Sequence, residues 1–346
     1  MTLAMCAEIL FLPTKRRKEK ILLRKISSCQ IELSWKLLCG TAEIVIPRNI
    51  KYFEKQNVKE VFQKGDPCEI YLGYGGNLSL EFKGYINQVS ADYPVTIKLE
   101  DEMWRLKQIP VNFSSSNIKL KDFIKKFVTD FPVDIDGDLS LGAVRFSKTT
   151  LGEVLTKLQN DMSVYSFIRD GKLTIAKPFS DVKKDGKDTA IAVFDLERNC
   201  VDNNLNYISA EDRLVKIIGK TLQNTAKAVR NKEKDKKLTF EWGDNNPVET
   251  INWTFQVKTA KELEDAVKNM YKMRKKDGYD GTFTSFGIPS VQHGQKVQLL
   301  STLYPDRKGV YYIDRVKKTF GKDAGYKQEI ELGQTASVSN KNSSKN

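Results

Sequence analysis

Near its start and again near its end, this chain carries the same three-strand pattern, and few folds accommodate such a repeat. Across 65–108, apolar residues recur at every second position: Cys68, Ile70, Leu72 and Tyr74, then Leu78, Leu80, Phe82 and Ile86, then Val95, Ile97 and Leu99. A period of two is that of a strand with one buried face. Tyr74-Gly75-Gly76-Asn77 divides the first two runs, and glycine and asparagine tolerate the positive φ of a tight hairpin turn. The plan returns across 294–332. Gly65-x-x-Cys68-x-Ile70 is echoed by Gly294-x-x-Val297-x-Leu299, and Tyr85-Ile86-x-x-Val89 by Tyr312-Ile313-x-x-Val316. The glycine-to-tyrosine separation is twenty residues in one copy and eighteen in the other, a difference that a change of turn length absorbs. A third strand follows each, ending in Ile97 and Leu99 or in Ile330 and Leu332. Kept order and kept spacing together indicate an internal duplication.

The remaining segments arrange themselves around the two copies. Glu8 to Leu12, Ile21 to Leu33 and Ala42 to Pro47 read as strands, with a clear alternation over Cys29 to Trp35. They are expected to close the first meander into a small barrel, which removes exposed strand edges. Trp35 and Trp104 are expected as core plugs. After Gln108 the period becomes helical: Leu120, Phe123, Ile124, Phe127 and Val128 share one face, with Ser116 or Asn117 as cap. Thr150-x-x-Glu153 reads as a capping box opening a second helix, with Leu151, Val154, Leu155 and Leu158 inward. Asp170-Gly171 marks a hairpin. A second barrel begins near Ala190, with strands over Leu214 to Ile218 and Leu238 to Trp242 and a lysine-rich tip, Thr221 to Lys237, between them. Thr259-x-x-Glu262 opens its helix, lined by Leu263, Ala266, Val267 and Met270, and Gly278 follows the basic end. The expected fold is α+β, mainly β: two similar small antiparallel β-barrels with an α+β insert between them. Its divisions are a first barrel over 1–111, the insert over 112–180, a linker over 181–189, the second barrel over 190–333, and a disordered tail over 334–346.

Composition bounds the chemistry. At 346 residues the chain supports two or three domains. Cys6, Cys29, Cys39, Cys68 and Cys200 are odd in number and form no C-x-x-C, which suggests neither a disulfide framework nor a zinc site. Leu3-Ala4-Met5-Cys6 only faintly resembles a lipoprotein cleavage site, and no stretch has the length to span a bilayer. A chain made and kept in a reducing cytoplasm is expected. The net charge of +13 invites a nucleic-acid reading. Much of the excess, however, lies in the runs Lys15 to Lys20 and Lys227 to Lys237, as solvated loops do.

No constellation supports catalysis. His293 is the single histidine and is expected in a turn. Gly219-Lys220-Thr221 mimics the end of a phosphate loop, but Leu214 stands where the first glycine belongs. Asp134, Asp136 and Asp138 have calcium-loop spacing, yet Leu139 and Arg145 occupy the positions of the turn glycine and closing glutamate. Glu100-Asp101-Glu102 places Glu100 and Glu102 on one strand face, the minimal geometry for a glycosidase pair, with nothing else beside them. The sequence therefore assigns no catalytic, cofactor-binding or metal residue, and no cofactor.

The first meander, GDPCEIYLGY followed by FKGYI, and the closing one, GIPSVQHGQKVQLL followed by GVYYIDRV and YKQEIELG, resemble the late control protein D family. These are baseplate or tail hub proteins of contractile-tailed phages and related injection systems. The similarity runs from about Glu8 to Gly333. It implies a structural virion protein and a homotrimer whose six similar barrels adapt the six-fold tail tube to the three-fold spike. It also implies spike, tube and baseplate partners, contact with nucleic acid only in the tube lumen, and assembly in the bacterial cytoplasm as part of a prophage or phage-like particle. Some hubs carry a fused lytic domain; none is visible here, so no hydrolase activity is expected. Two other classes compete: a nucleic-acid-binding β-barrel, motivated by net charge, and a cell-wall carbohydrate hydrolase, motivated by the clustered carboxylates.

Overall fold

The structure is a computed structural model that describes residues 4–47, 61–90, 94–135, 139–176, 191–221, 238–255, 257 and 259–336. The first repeat contributes β1 (Met5–Phe11), β2 (Ile21–Leu23), β3 (Ser28–Ser34), β4 (Thr41–Ile46), β5 (Pro67–Tyr74), β6 (Asn77–Val89) and β7 (Val95–Asp101). A short helix α1 (Met103–Lys107) leads into the insert. There β8 (Pro110–Lys119), α2 (Leu120–Phe127), β9 (Val133–Ile135), β10 (Ser140–Thr150), α3 (Leu151–Met162), β11 (Tyr165–Arg169) and β12 (Lys172–Ala176) follow in turn. The second repeat contains β13 (Ala192–Asp195), β14 (Cys200–Ile208), β15 (Val215–Thr221), β16 (Thr239–Gly243), β17 (Glu249–Phe255) and α4 (Ala260–Arg274). It ends with β18 (Gly278–Phe286), β19 (Lys296–Leu300), β20 (Gly309–Gly321) and β21 (Gly325–Thr335).

The duplication is written in the strand registers. The first repeat has the strand order β3-β4-β7-β6-β5-β1 and the second β14-β18-β21-β20-β19-β13. In the first, Ile86 faces Leu99, one residue is bulged out, and pairing resumes with Gln88 and Lys98, then Val89 and Ile97. In the second, Ile313 faces Leu332, one residue is bulged out, and pairing resumes with Arg315 and Glu331, then Val316 and Ile330. The turn before each meander agrees as well. Gly65 N–H donates to Ile86 O and Ile86 N–H to Asp66 O, at 2.7 and 2.9 Å. Gly294 donates to Ile313 O and Ile313 to Gln295 O at the same two distances. Both glycines hold positive φ, 91° and 75°, the left-handed conformation that favours glycine. The copies differ in strand direction at one edge: β1 runs antiparallel to β5, whereas β13 runs parallel to β19.

Thirteen strands of the two repeats form one continuous sheet, because β3 pairs antiparallel with β20 over Ser28–Ser34 and Arg315–Gly321. This joint also accounts for the difference from the expected barrels. One edge of β3 is taken by β4 and the other by β20, so β3 has no edge left with which to close the first repeat. Among the described strands the pairing path stays open, from β14 at one end to β2 at the other. The first core is closed instead by side chains, Phe320 and Tyr326 of the second repeat packing into it beside Cys29, Ile31 and Phe82.

Two further cores sit outside the sheet. The insert buries Leu120, Phe123, Ile124, Leu151, Val154, Leu155 and Leu158 together, as the helical spacing predicts, with Phe127 only partly buried. The Thr150–Glu153 capping box is present in both directions, and Asp170 and Gly171 turn with positive φ. The predicted cap at Ser116 or Asn117 is absent: those residues belong to β8, which pairs with β10, and the helix opens after Lys119 without a side-chain cap. The other core corrects the expected second barrel. β15, β16 and β17 form a separate three-stranded sheet, and α4 packs Leu263 and Val267 against Val215, Ile217 and Phe255. β17 runs parallel to β15, a pairing that alternation alone does not reveal. The Thr259 capping box is as predicted, while α4 ends at Arg274 and Gly278 starts β18. The last strand continues past Gly333 to Thr335, with Gln334 buried. The linker, Asp136, Asp138 and the lysine-rich tip from 222 to 237 lie outside the described residues.

Candidate functional site: the seam between the two repeats

Among the described residues a dense polar cluster lies where the repeats meet, and two β-bulges build it. In β6 the pairing steps from Ile70–Phe82 to Tyr71–Leu80, leaving Glu81 as the extra residue. A bulge reverses the inside–outside alternation of a strand. Leu80, expected inward, is 44% exposed, and Glu81 is 2% exposed in its place. Opposite it, Lys318 occupies an inward position of β20 between Val316 and Phe320 and is fully buried. The two form an ion pair sealed from water. Lys318 Nζ also donates to Ser290 Oγ at 2.7 Å, Ser290 Oγ to Glu81 Oε2 at 2.8 Å, and Tyr326 Oη to Glu81 Oε1 at 3.0 Å. Burial pulls the Lys318 ammonium below its ordinary range, and Glu81 opposes that shift. Fully buried Gln328 braces the adjoining turn, donating to Phe286 O and Pro289 O and accepting from Val291 N–H. Tyr74 Oη completes the buried side by donating to Tyr326 O at 2.5 Å.

The second bulge, at Asp314, supplies the outer side. Trp35 Nε1 donates to Asp314 Oδ1 at 2.9 Å and Ser34 Oγ to Asp314 O at 3.1 Å. Lys36 pairs with Asp314 and Glu331 at 3.0 and 3.1 Å. Arg315 reaches Glu331, Glu329 and Glu32 at 2.8, 3.1 and 3.4 Å. Trp35 is therefore no core plug. Half-buried, its ring meets Tyr165 of the insert edge-on at 4.3 Å, so it ties both repeats and the insert at one point. Trp104 is likewise half-buried, stacked on Tyr85 at 5.3 Å. Such an arrangement fixes orientation. Its buried donors and acceptors satisfy one another.

The residues weighed for chemistry are spent on structure. Glu100 pairs with Lys107 and accepts from Asn87 Nδ2 at 2.9 Å, and Glu102 pairs with Lys83 at 3.4 Å. Asp101 accepts backbone N–H groups of Gly40 and Met103 at 2.6 and 3.0 Å. Lys220 and Gly219 lie in β15, a strand rather than a phosphate loop. Asp134 pairs with Lys172 at 2.9 Å. From the basic N-terminal run, Arg17 folds back to donate to Leu12 O, Phe11 O and Glu19 O. His293 sits in its predicted turn but is buried, edge-on to Phe167 of the insert at 5.3 Å. An open cleft of about 500 Å³ is lined by Leu38, Lys107, Thr150, Glu153 and Lys157; of these, Thr150 and Glu153 serve the capping box and Lys107 pairs with Glu100. Among the described residues no cluster of three or more His, Cys, Asp or Glu side chains can hold a metal, and no helix is long and apolar enough to cross a membrane.

Asp101 carries a pH signature. Burial raises its carboxyl to about 7, against the two N–H bonds and with the help of Glu100 and Glu102. A raised acid favours folding while protonated. Its contribution is whole below the ordinary carboxylate range and is lost as pH rises through about 7. Asp101→Asn, which stays neutral, is expected to flatten thermal stability between pH 5 and 8, relative to wild type. Melting curves that fall equally for both proteins would locate the titration elsewhere.

Sequence periodicity missed the seam, although one signal was present. Lys318 and Gln328 interrupt the apolar phase of their strands at inward positions, and an inward charge demands a buried partner.

No protein-family model matches the chain, and no curated protein matches it. Solved structures do. A tail protein from Neisseria meningitidis superimposes with a TM-score of 0.61 at 13% identity, covering 96% of this chain and 97% of that one. A 43 kDa tail protein of prophage MuSo2 from Shewanella oneidensis gives 0.60 at 16% identity, covering 94% and 98%. An E. coli component of the type VI secretion system, described as structurally similar to bacteriophage tail proteins, gives 0.57 at 9% identity, covering 90% and 74%. From its first strand to its last, this chain has the fold of phage tail proteins and of a type VI secretion component.

Proposed function

We propose that this protein is the structural hub of a contractile phage tail or phage-like injection particle, without catalytic activity. Three copies form a ring of six similar modules, against which a six-fold tube docks on one face and a three-fold spike on the other. The observation that carries this reading is the repeat itself. Two modules of one chain share strand order, register and bulge position, so three chains present six near-equivalent surfaces at the symmetry of a hexagon. The buried seam supports it, because an adapter under load needs its two modules held at a fixed angle. The partners are the spike, the tube and neighbouring baseplate proteins, and the setting is the tail baseplate, assembled in the bacterial cytoplasm. Nucleic acid is met only in transit through the lumen.

Native mass measurement and class-averaged electron images test this on the chain co-expressed with the spike of its own gene cluster. A particle holding three copies of the chain, its ring showing six lobes, is expected. A dimer, a tetramer or a persistently single chain overturns the proposal. Binding to single- or double-stranded DNA that weakens steeply with salt, in the absence of assembly, would favour the nucleic-acid reading instead.

A further inference from the structure

The polar centre of the seam holds the parts of a reaction as well as of a brace. Lys318 Nζ touches Glu81 Oε2 with both side chains sealed in the core, at 0 and 2% exposure. In a medium that solvates charge poorly, a proton passed from Nζ to Oε2 leaves a neutral amine against a neutral acid and removes two charges at once. Burial already pulls the ammonium below its ordinary range. An amine and a carboxylic acid are the two reactants of an amide, and holding them in contact is equivalent to an effective concentration of about 10⁵ M or more. The Lys107–Glu100 contact shows the contrast: Lys107 is 33% exposed, and a solvated ammonium keeps its proton.

The neighbouring hydroxyls stand where the remaining steps need them. Tyr326 Oη donates to Glu81 Oε1 at 3.0 Å, so it faces the oxygen that becomes negative when nitrogen adds to the carboxyl carbon. Ser290 bridges the other side: Lys318 Nζ donates to its Oγ at 2.7 Å, and its Oγ donates to Glu81 Oε2 at 2.8 Å. That is a path for a proton from the nitrogen to the departing oxygen. Ser290 is held from both flanks, because Gln328 donates to Pro289 O and accepts from Val291 N–H.

We infer that Lys318 and Glu81 join in an isopeptide bond, formed by the folded chain on itself and tying β20 of the second repeat to β6 of the first. In the neutral pair, Nζ adds to Cδ of Glu81, and Oε1 takes the negative charge beside Tyr326 Oη–H. A proton leaves Nζ for Ser290 Oγ as the Ser290 proton moves to Oε2. The Cδ–Oε2 bond breaks, Oε1 regains its double bond, and Oε2 departs as water. The reaction consumes no cofactor and runs once per chain. The bond closes a loop between positions 237 residues apart, so a seam otherwise held by strand pairing and packing cannot open while the bond lasts. Folding comes first, and chain of unreduced mass keeps the ion pair with its noncovalent energetics.

Mass spectrometry of the full chain tests this, independently of assembly. After the folded protein is incubated at neutral pH, more than about half of the molecules are expected to be lighter by one water, about 18 Da, with a branched tryptic peptide joining 65–83 to 318–322. Lys318→Met is expected to keep its full mass. Ser290→Ala and Tyr326→Phe retain both reactants and the fold, and are expected to lose water at least about tenfold more slowly. A hydroxyl that only braces the seam would leave that rate unchanged. Folded wild-type chain that keeps its full mass overturns the proposal. So does a loss that persists in Lys318→Met, which belongs to an aspartyl-glycine step such as Asp170-Gly171. Loss at the wild-type rate in both hydroxyl variants overturns the route through Ser290 and Tyr326.

Discussion

Lys318→Met is expected to destabilise the protein by about 3–5 kcal/mol, and Glu81→Gln by a comparable amount, whereas the double variant recovers most of the loss. The reason is the absence of water. Glu81 and Lys318 are 2% and 0% exposed, so removing one partner strands the other's charge in a medium that cannot solvate it. Removing both leaves Ser290 and Tyr326 to hydrogen-bond the neutral amide that replaces the carboxylate, and the methionine fills the channel of the lysine stem. Chemical denaturation of the three variants measures the coupling. Single variants within about 1 kcal/mol of wild type would mean that strand pairing alone holds the seam. The outer cluster behaves differently. Lys36 is half exposed, and ion pairs of that kind contribute about 1 kcal/mol or less and yield to salt. The buried pair is therefore expected to contribute far more to the joint between the repeats than the outer charges do.

What the sequence made legible followed from local rules. Alternation located the strands of both meanders, Thr150–Glu153 and Thr259–Glu262 announced their helices, and Asp170-Gly171 its turn, because each signal is contained within a few residues. The duplication was legible for the same reason, being two local patterns compared. The seam was not. Glu81 faces inward only because a bulge shifts the phase of β6, and a bulge leaves no mark in a pattern of apolar residues. The partnership of β3 with β20 joins residues almost three hundred positions apart, and a strand edge does not name its partner. The parallel pairing of β17 with β15, which made a separate small sheet of what alternation placed in a barrel, failed in the same way. Long-range choice among edges was the missing information throughout.

Acid is expected to loosen the attachment of the insert to the second repeat, and His293 is the group responsible. Its counterpart in the first repeat, by the Gly65–Gly294 match, is Lys64, which is exposed. His293 is buried because the β11–β12 hairpin packs on its turn, with Phe167 against the imidazole and Arg169 donating to His293 O at 2.5 Å. Neither ring nitrogen has a hydrogen-bond partner. Burial, and then the Arg169 charge, hold the imidazole down to about 3. The folded state thus binds fewer protons than the unfolded one between that value and the ordinary histidine range. Stability is whole above about 6.5 and falls as pH drops toward 3. By pH 4.5 the loss amounts to about 2–3 kcal/mol. His293→Leu keeps the volume and cannot take up a proton, so it is expected to melt above wild type at pH 4.5 and near it at pH 7.5. Asp101 moves stability the opposite way over part of this range, which is why the comparison is between variant and wild type at each pH rather than along either curve. Hydrogen exchange then places the effect: protection of β11 and β12 should fall with pH in wild type and hold in His293→Leu. Equal losses in both proteins would mean that the imidazole is solvated, and that the insert is held by Trp35 and Tyr165 rather than through the turn at Gly294.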